Sequence, residues 1–169
     1  MLFRSLPSLK SFKLDFCKHC IYGKQSKKKF KTEKHTSKGI LDYIHSDVWG
    51  LSPTTSYGGS SYFVSFIDDF SRKLWVYMLK RKSEVFTVFK KFRALVEKIT
   101  GRTIKCLRTE NGGDFTSKEF DNYCKEAGIE IQRTTAYTPQ QNGVAERMNM
   151  NLLERARSML SNANLQKEL

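Results

Sequence analysis

The sequence predicts an α/β fold, a five-stranded mixed sheet flanked by helices. Three observations carry this reading. Three β-rich segments joined by short turns open the regular part of the chain. The apolar period then switches from two to 3.6 residues. After the switch, short strands and helices alternate. A meander followed by βαβ crossovers gives a mixed sheet covered by helices on both faces. At 169 residues the chain is long enough for one sizeable domain and a short appendage. Its 39% hydrophobic and 12% aromatic content suffices for a packed core.

Each element has a local cause. Ile40–Val48 alternates apolar and polar residues loosely and is rich in β-formers. After a turn at Tyr57-Gly58-Gly59-Ser60, the run Tyr62–Ile67 reads as a strand, and Asp68–Arg72 as a hairpin turn into Leu74–Leu79. Ser83 is placed to cap a helix whose apolar face is Val85, Val88/Phe89, Phe92, Leu95/Val96 and Ile99, with Gly101 as its stop. Ile104–Thr109 is a short strand. Thr116 and Glu119 have capping-box spacing before a helix that buries Phe120, Tyr123 and Cys124 and stops at Gly128. Ile129–Thr134 is the fifth strand. A last helix opens near Gly143 and runs through Ala145, Met148, Leu152, Ala156 and Met159/Leu160. The predicted order is β-β-β-α-β-α-β-α.

Charge is unevenly spread. Residues 1–38 hold eleven Lys/Arg against Asp15 and Glu33, a net of +9, which leaves +4 of the total +13 for residues 39–169. The Lys27-Lys28-Lys29 run reads equally as a phosphate-contacting segment or as a solvated linker. No run approaches the ~20 apolar residues of a membrane span, and Met1–Leu14 lacks a signal-peptide apolar region, so a soluble intracellular protein with no membrane partner is expected.

Two acids stand where strand patterns end, Asp47 and Glu110, and a third, Glu146, lies in the first turn of the last helix. Converging carboxylates repel one another in water and become useful as a hard-oxygen cage for divalent metal. Two such ions ~3.5–4 Å apart clamp the attacking and leaving oxygens of a phosphoryl displacement. The alternative is three surface acids out of seventeen. Asn111-Gly112-Gly113 beside Glu110 permits close backbone approach, and the polar loop Thr138–Gly143 leads into the helix that carries Glu146. Arg147, Asn151 and Arg155 make a polar stripe that suits a DNA backbone or a solvated face. Asp68 and Asp69 fit turn-stabilising roles, and His45 a packing or orienting contact. Cys106 and Cys124 suit the core.

Four segments in order along the chain make a specific resemblance: Ile44–Gly50, Phe66–Arg72, Leu107–Phe115 and Tyr137–Arg147. Together they resemble the catalytic core of copia-type LTR-retrotransposon integrases, and the thirty-five residues between Glu110 and Glu146 match that family's spacing. The resemblance implies a ribonuclease H-like fold, with Asp47, Glu110 and Glu146 as catalytic metal ligands. It implies 3′-end processing and strand transfer of element DNA with two Mg²⁺ or Mn²⁺ ions, DNA contacts from Gln140, Gln141, Asn142, Arg147, Asn151 and Arg155, and a homo-oligomer acting in the nucleus. It also implies two parts. Residues 1–38 would be a basic leader with a truncated zinc-module remnant, and residues 39–169 a catalytic core truncated at its C-terminal end.

Three departures temper the resemblance. Relatives carry Asp at the position of Glu110 and usually Glu at that of Asp114, which leaves only thirty-one residues before Glu146. Relatives often carry basic residues at Met148 and Met150. Cys17 and Cys20 survive as a Cys-x-x-Cys without the two upstream histidines, so no Zn²⁺ is expected there. The expected function is therefore metal-dependent DNA integration by an impaired copy. The alternatives are a catalytically inert nucleic-acid-binding remnant or a ribonuclease H-like nuclease.

Overall fold

The computed structural model describes residues 37–110, 112–134 and 143–164. Five strands form one sheet: β1 (Tyr43–Trp49), β2 (Tyr62–Asp68), β3 (Leu74–Leu79), β4 (Cys106–Thr109) and β5 (Glu130–Arg133). Their order across the sheet is β3-β2-β1-β4-β5. The first three pair antiparallel, whereas β4 and β5 join parallel to β1. Three helices follow the expected order: α1 (Val85–Thr100), α2 (Lys118–Glu126) and α3 (Gly143–Asn162). This is the five-stranded mixed α/β sheet of a ribonuclease H-like fold.

Strand alternation sends residues to two different layers. On one face Ile44, Val64, Phe66, Leu79 and Leu107 meet Phe89, Phe92 and Val96 of α1 and Phe120 and Cys124 of α2. Phe66 and Phe92 stack with ring centroids 4.3 Å apart, and Phe89 packs on Phe120 at 5.1 Å. Each fully buried aromatic of this kind contributes roughly 1.5–3 kcal/mol of transfer free energy. The opposite face presents Tyr43, His45, Asp47 and Trp49 of β1, and α3 packs across it onto β1 and β2. The core is thus on one side of the sheet and the polar residues of interest on the other.

Several boundaries depart from the sequence reading. A 3-10 turn, Lys82–Glu84, precedes α1, so Arg81 and Glu84 make the reciprocal capping contacts and Ser83 caps nothing. Leu95 and Ile99 are exposed, because the sheet supports only the Val85, Phe89, Phe92 and Val96 stripe of α1. Ser117, not Thr116, caps α2, accepting from the Phe120 N–H at 3.2 Å. Thr116 instead closes the 3-10 turn Gly113–Phe115, so the Thr116–Glu119 capping box does not form. Met159 at the far end of α3 is exposed as well.

Gly50 ends β1 at φ +138, where an added Cβ would meet the Tyr62 ring at 2.4 Å. Gly101 closes α1 in the left-handed conformation that a C-terminal cap favours. Both buried cysteines, Cys106 and Cys124, are free, and burial pushes their thiols up to about 12 and about 11. They fill the interior as small hydrophobes. Among the described residues, no helix is long and apolar enough to cross a membrane.

Candidate functional site

The site lies at the carboxyl ends of β1 and β4. These strands run parallel, with His45 opposite Arg108, so Asp47 and Glu110 come two residues further along on neighbouring chains. Asp47 is 8% exposed. Burial first, then the Glu110 charge, pushes its carboxyl up to about 6, against hydrogen bonds from Asn149 and the Val48 backbone. Glu146 reaches the same place from the first turn of α3. Glu110 is raised above its ordinary range by burial, then by a hydrogen bond to the Glu146 carboxyl and by its charge. Two carboxyl groups can hydrogen-bond only by sharing a proton, so the pair is a mark of crowding.

The donor chemistry suits a hard divalent cation, since every group is a carboxylate oxygen. The side-chain arrangement is not ready-made: among the described residues no group of three or more His, Cys, Asp or Glu is set to hold a metal ion. Glu110 and Glu146 close on each other, and Asp47 is bonded to Asn149. Rotation of the Glu110 and Glu146 side chains opens the space between the three carboxyls. Neutralising crowded carboxylates is what a bound cation does, so their raised acidities agree with the donor chemistry.

The aspartates of the β2–β3 turn form a separate, structural cluster. Asp68 is fully buried: Oδ1 accepts from the Leu41 N–H at 2.9 Å, and Oδ2 from the Ser71 N–H and hydroxyl at 2.9 and 2.6 Å. Asp69 takes His45 Nε2 at 3.1 Å, Ser37 and Arg72. Burial opposes its charged form, but the hydrogen bonds from His45 and Ser37 win and hold it below the usual carboxylate range. His45 therefore orients against Asp69 and not against Asp47.

Of the residues expected to meet DNA, Arg147 turns its Nε back onto the Gly143 carbonyl at 2.7 Å, whereas Asn151 and Arg155 are exposed along α3. Gln140, Gln141, Asn142, Cys17 and Cys20 lie outside the described residues. Met148 is partly buried and Met150 is 38% exposed.

The sequence reading missed two residues. Asn149, 2% exposed, donates from Nδ2 to Asp47 Oδ2 at 2.8 Å. Its position three residues after Glu146 on one helical face was the available signal. Lys82, beyond β3, lies with its Nζ over the Tyr62 ring at 5.9 Å, and its charge opposes the raised acidities of Asp47 and Glu110.

Comparison with known proteins bears on this arrangement. The family model "Integrase core domain" matches residues 41–139, a stretch that contains Asp47 and Glu110 and stops short of Glu146. The chain is 54% identical over 151 residues to the retrovirus-related Pol polyprotein from transposon TNT 1-94 of Nicotiana tabacum, covering 89% of this chain and 11% of that protein. It is 38% identical over 164 residues to the corresponding polyprotein from transposon RE2 of Arabidopsis thaliana, again 96% of this chain and 11% of that protein. The chain therefore spans about a tenth of the length of these relatives.

Solved structures share the fold. One is a chain in the cryoEM structure of a simian T-cell lymphotropic virus intasome in complex with PP2A regulatory subunit B56 gamma. It has a TM-score of 0.60 and 23% identity, over 89% of this chain and 52% of that one. Another is the catalytic core domain of BIV integrase, with a TM-score of 0.51 and 20% identity over 76% of each chain. Integrase cores generally use divalent metals. With the family match spanning both strand-end acids, and with plant transposon polyproteins aligned along nearly its whole length, this chain belongs to the integrase core family of LTR retrotransposons.

Proposed function

We propose that this chain is the part of a copia-type integrase that performs 3′-end processing and strand transfer of element DNA, using two Mg²⁺ or Mn²⁺ ions held by Asp47, Glu110 and Glu146. The observation that carries the reading is the meeting of these three acids from β1, the end of β4 and α3, with Asp47 and Glu110 both raised in pKa. When bound, divalent ions supply charge neutralisation and Lewis acidity at the reacting phosphate. The chain's own part is to hold three carboxylates within reach of one phosphodiester and to keep β1, β4 and α3 rigid around it.

DNA is the substrate and partner in this reading. Lys82 lies beside the acids, and Asn151 and Arg155 form an exposed polar stripe on the helix that carries Glu146. Gln140, Gln141, Asn142 and Arg147 complete the proposed contact surface. A homo-oligomer acting in the nucleus agrees with the intasome among the structures that share this fold. Residues 1–38 act as a basic leader that holds the Cys17–Cys20 half-site without zinc, and residues 39–169 as the catalytic core.

We further propose that this copy is impaired at position 110. Glu110 is one methylene longer than aspartate and bonds Glu146, which sets it in the wrong place for an octahedral ion. Mg²⁺ demands near-ideal geometry.

The test incubates the chain and its Asp47→Asn and Glu146→Gln variants with a labelled duplex that mimics an element end, in Mn²⁺ and in Mg²⁺. Metal-dependent nicking and joining, weak in the wild type, stronger in Mn²⁺ and lost in both variants, is the expected result. DNA binding with no metal-dependent turnover, even after Glu110→Asp, supports an inert nucleic-acid-binding remnant and refutes the enzyme.

A further inference from the structure

The Asp47–Asn149 contact is the best-defined interaction in the site. Both residues are buried, at 8% and 2% exposure, and Asn149 Nδ2 donates to Asp47 Oδ2 at 2.8 Å. The two belong to elements 102 positions apart in the chain, β1 and α3. The other end of the same amide, Asn149 Oδ1, is buried with no hydrogen-bond partner. Leaving a buried amide oxygen unpaired is costly, so such a group calls for an explanation. A packing asparagine would be expected to satisfy both ends. This one spends its donor on a candidate metal ligand and keeps its acceptor for something else.

The geometry points to Asn149 as an ion-selectivity residue that fixes Asp47 by its Oδ2 and leaves Oδ1 as the single free donor oxygen, favouring Mg²⁺ and Mn²⁺ over Ca²⁺. This rests on the metal reading proposed above. Small octahedral ions bind carboxylates through one oxygen each and keep several waters, whereas Ca²⁺ takes six to eight oxygens and commonly both from one carboxylate. A carboxylate with one oxygen already engaged by an amide is a poorer two-oxygen chelator. The unpaired Oδ1 of Asn149 supplies an acceptor for a water carried by the ion, and such outer contacts tune metal affinity strongly. Asn149 also sits one helical step from Glu146, so α3 brings one candidate ligand and positions another. Asn149 is a positioning residue, acting through Asp47.

The experiment measures Mn²⁺ and Ca²⁺ binding by titration calorimetry at one fixed pH, for the 169-residue chain and for Asn149→Ala, Asn149→Leu and Asp47→Asn. Expected is a preference for Mn²⁺ in the wild type. Both Asn149 variants should lower the Mn²⁺-to-Ca²⁺ affinity ratio by ~10-fold or more, since removing an outer-shell partner typically changes metal affinity by ~10–100-fold. A general loss of packing would weaken both ions alike and leave the ratio unmoved, which overturns the inference. Loss of Mn²⁺ binding in Asp47→Asn with an unchanged ratio in the Asn149 variants refutes selectivity and leaves the metal site standing. If the wild type binds neither ion, both fall together.

Should the variants not fold, the wild type supplies the answer through the side-chain amide resonances of Asn149. The hydrogen-bonded proton signal should persist when Mg²⁺ is added. Its collapse to a free-amide position would show that the ion displaces the contact, and the inference fails.

Discussion

Removing the charge of Asp47 should stabilise the protein. The folded chain holds this carboxyl at about 6 against an ordinary 3.8, through burial and the charge of Glu110. At ~1.4 kcal/mol per pH unit, the difference amounts to ~3 kcal/mol as an upper estimate. Between pH ~4 and ~6 the folded state retains a proton that the unfolded chain has released, so stability falls as pH rises through that window and stays low above it. Asp47→Asn removes the charge and keeps an oxygen that can accept from Asn149. At pH 8 its thermal midpoint should therefore exceed that of wild type by roughly 6–10 °C, at ~2–4 °C per kcal/mol for a chain of this size. The gap should close below pH 4, where both carboxyls are neutral. Scanning calorimetry of the two proteins from pH 3.5 to pH 8 measures it, and the difference between them cancels the other titrating groups. A second arm adds Mn²⁺ at pH 8, which should raise the midpoint of wild type and leave Asp47→Asn unmoved. A variant no more stable than wild type at pH 8, or a gap that persists at pH 3.5, would refute the claim that this charge is strained in the folded chain.

Two other outcomes follow from the same geometry. Glu110→Asp shortens the side chain by about 1.5 Å, one C–C bond, and parts it from Glu146. With flanking regions of the polyprotein supplied, strand transfer on a duplex end should rise by ~10–100-fold; wild-type activity equal to Glu110→Asp would show that position 110 is not damaged. In the β2–β3 turn, Asp68→Ala leaves the Leu41 and Ser71 donors unpaired in the interior and should cost about 3 kcal/mol in urea denaturation. Arg72→Ala, whose side chain is 56% exposed, should cost less than about 1 kcal/mol, and equal losses for the two would contradict the clamp.

Much of this architecture was legible because each segment's period agrees with its place in the fold. Tyr62–Ile67 and Leu74–Leu79 alternate cleanly, and the turn between them carries the aspartate it needs for its own hydrogen bonds. What periodicity cannot see is where the partner surface ends. Leu95 and Ile99 share the apolar stripe of α1 yet face solvent, because the sheet does not extend beneath them. Local capping signals were misread by one residue at Ser117, where adjacent Thr116 and Ser117 offer the same chemistry and only the backbone decides. The candidate acids were found by position, at strand ends and in a helix's first turn. Asn149 escaped because an asparagine in a helix reads as a solvent-facing residue until the strand beneath it is known. Long-range polar contacts such as Arg108–Tyr43–Gln132, which tie three strands together, leave no mark in a single sequence.

The sheet also explains why the acids must meet where they do. β1 is flanked by β2 on one side and by β4 on the other, and only β4 runs in its direction. Two parallel neighbours end at the same edge, so residues just past their ends are brought abreast, and ligand sites of α/β sheets form at such edges. Register then decides the face. With His45 opposite Arg108, Asp47 and position 110 fall on the same side, the side that α3 covers, while Leu107 and Thr109 point into the aromatic core. A slip of one residue between β1 and β4 would send position 110 toward Phe89 and Phe120 and bury a carboxylate among rings. The hydrophobic core on one face therefore fixes the polar constellation on the other: Leu107, fully buried beside Ile44, holds the register that carries Glu110 to Asp47. Gly143 and Ala145 then let α3 lie close against β1, since both are buried on its inner side, and the helix delivers Glu146 and Asn149 together. Packing on the core face and acid geometry on the opposite face are one constraint, imposed twice by the alternation of a strand.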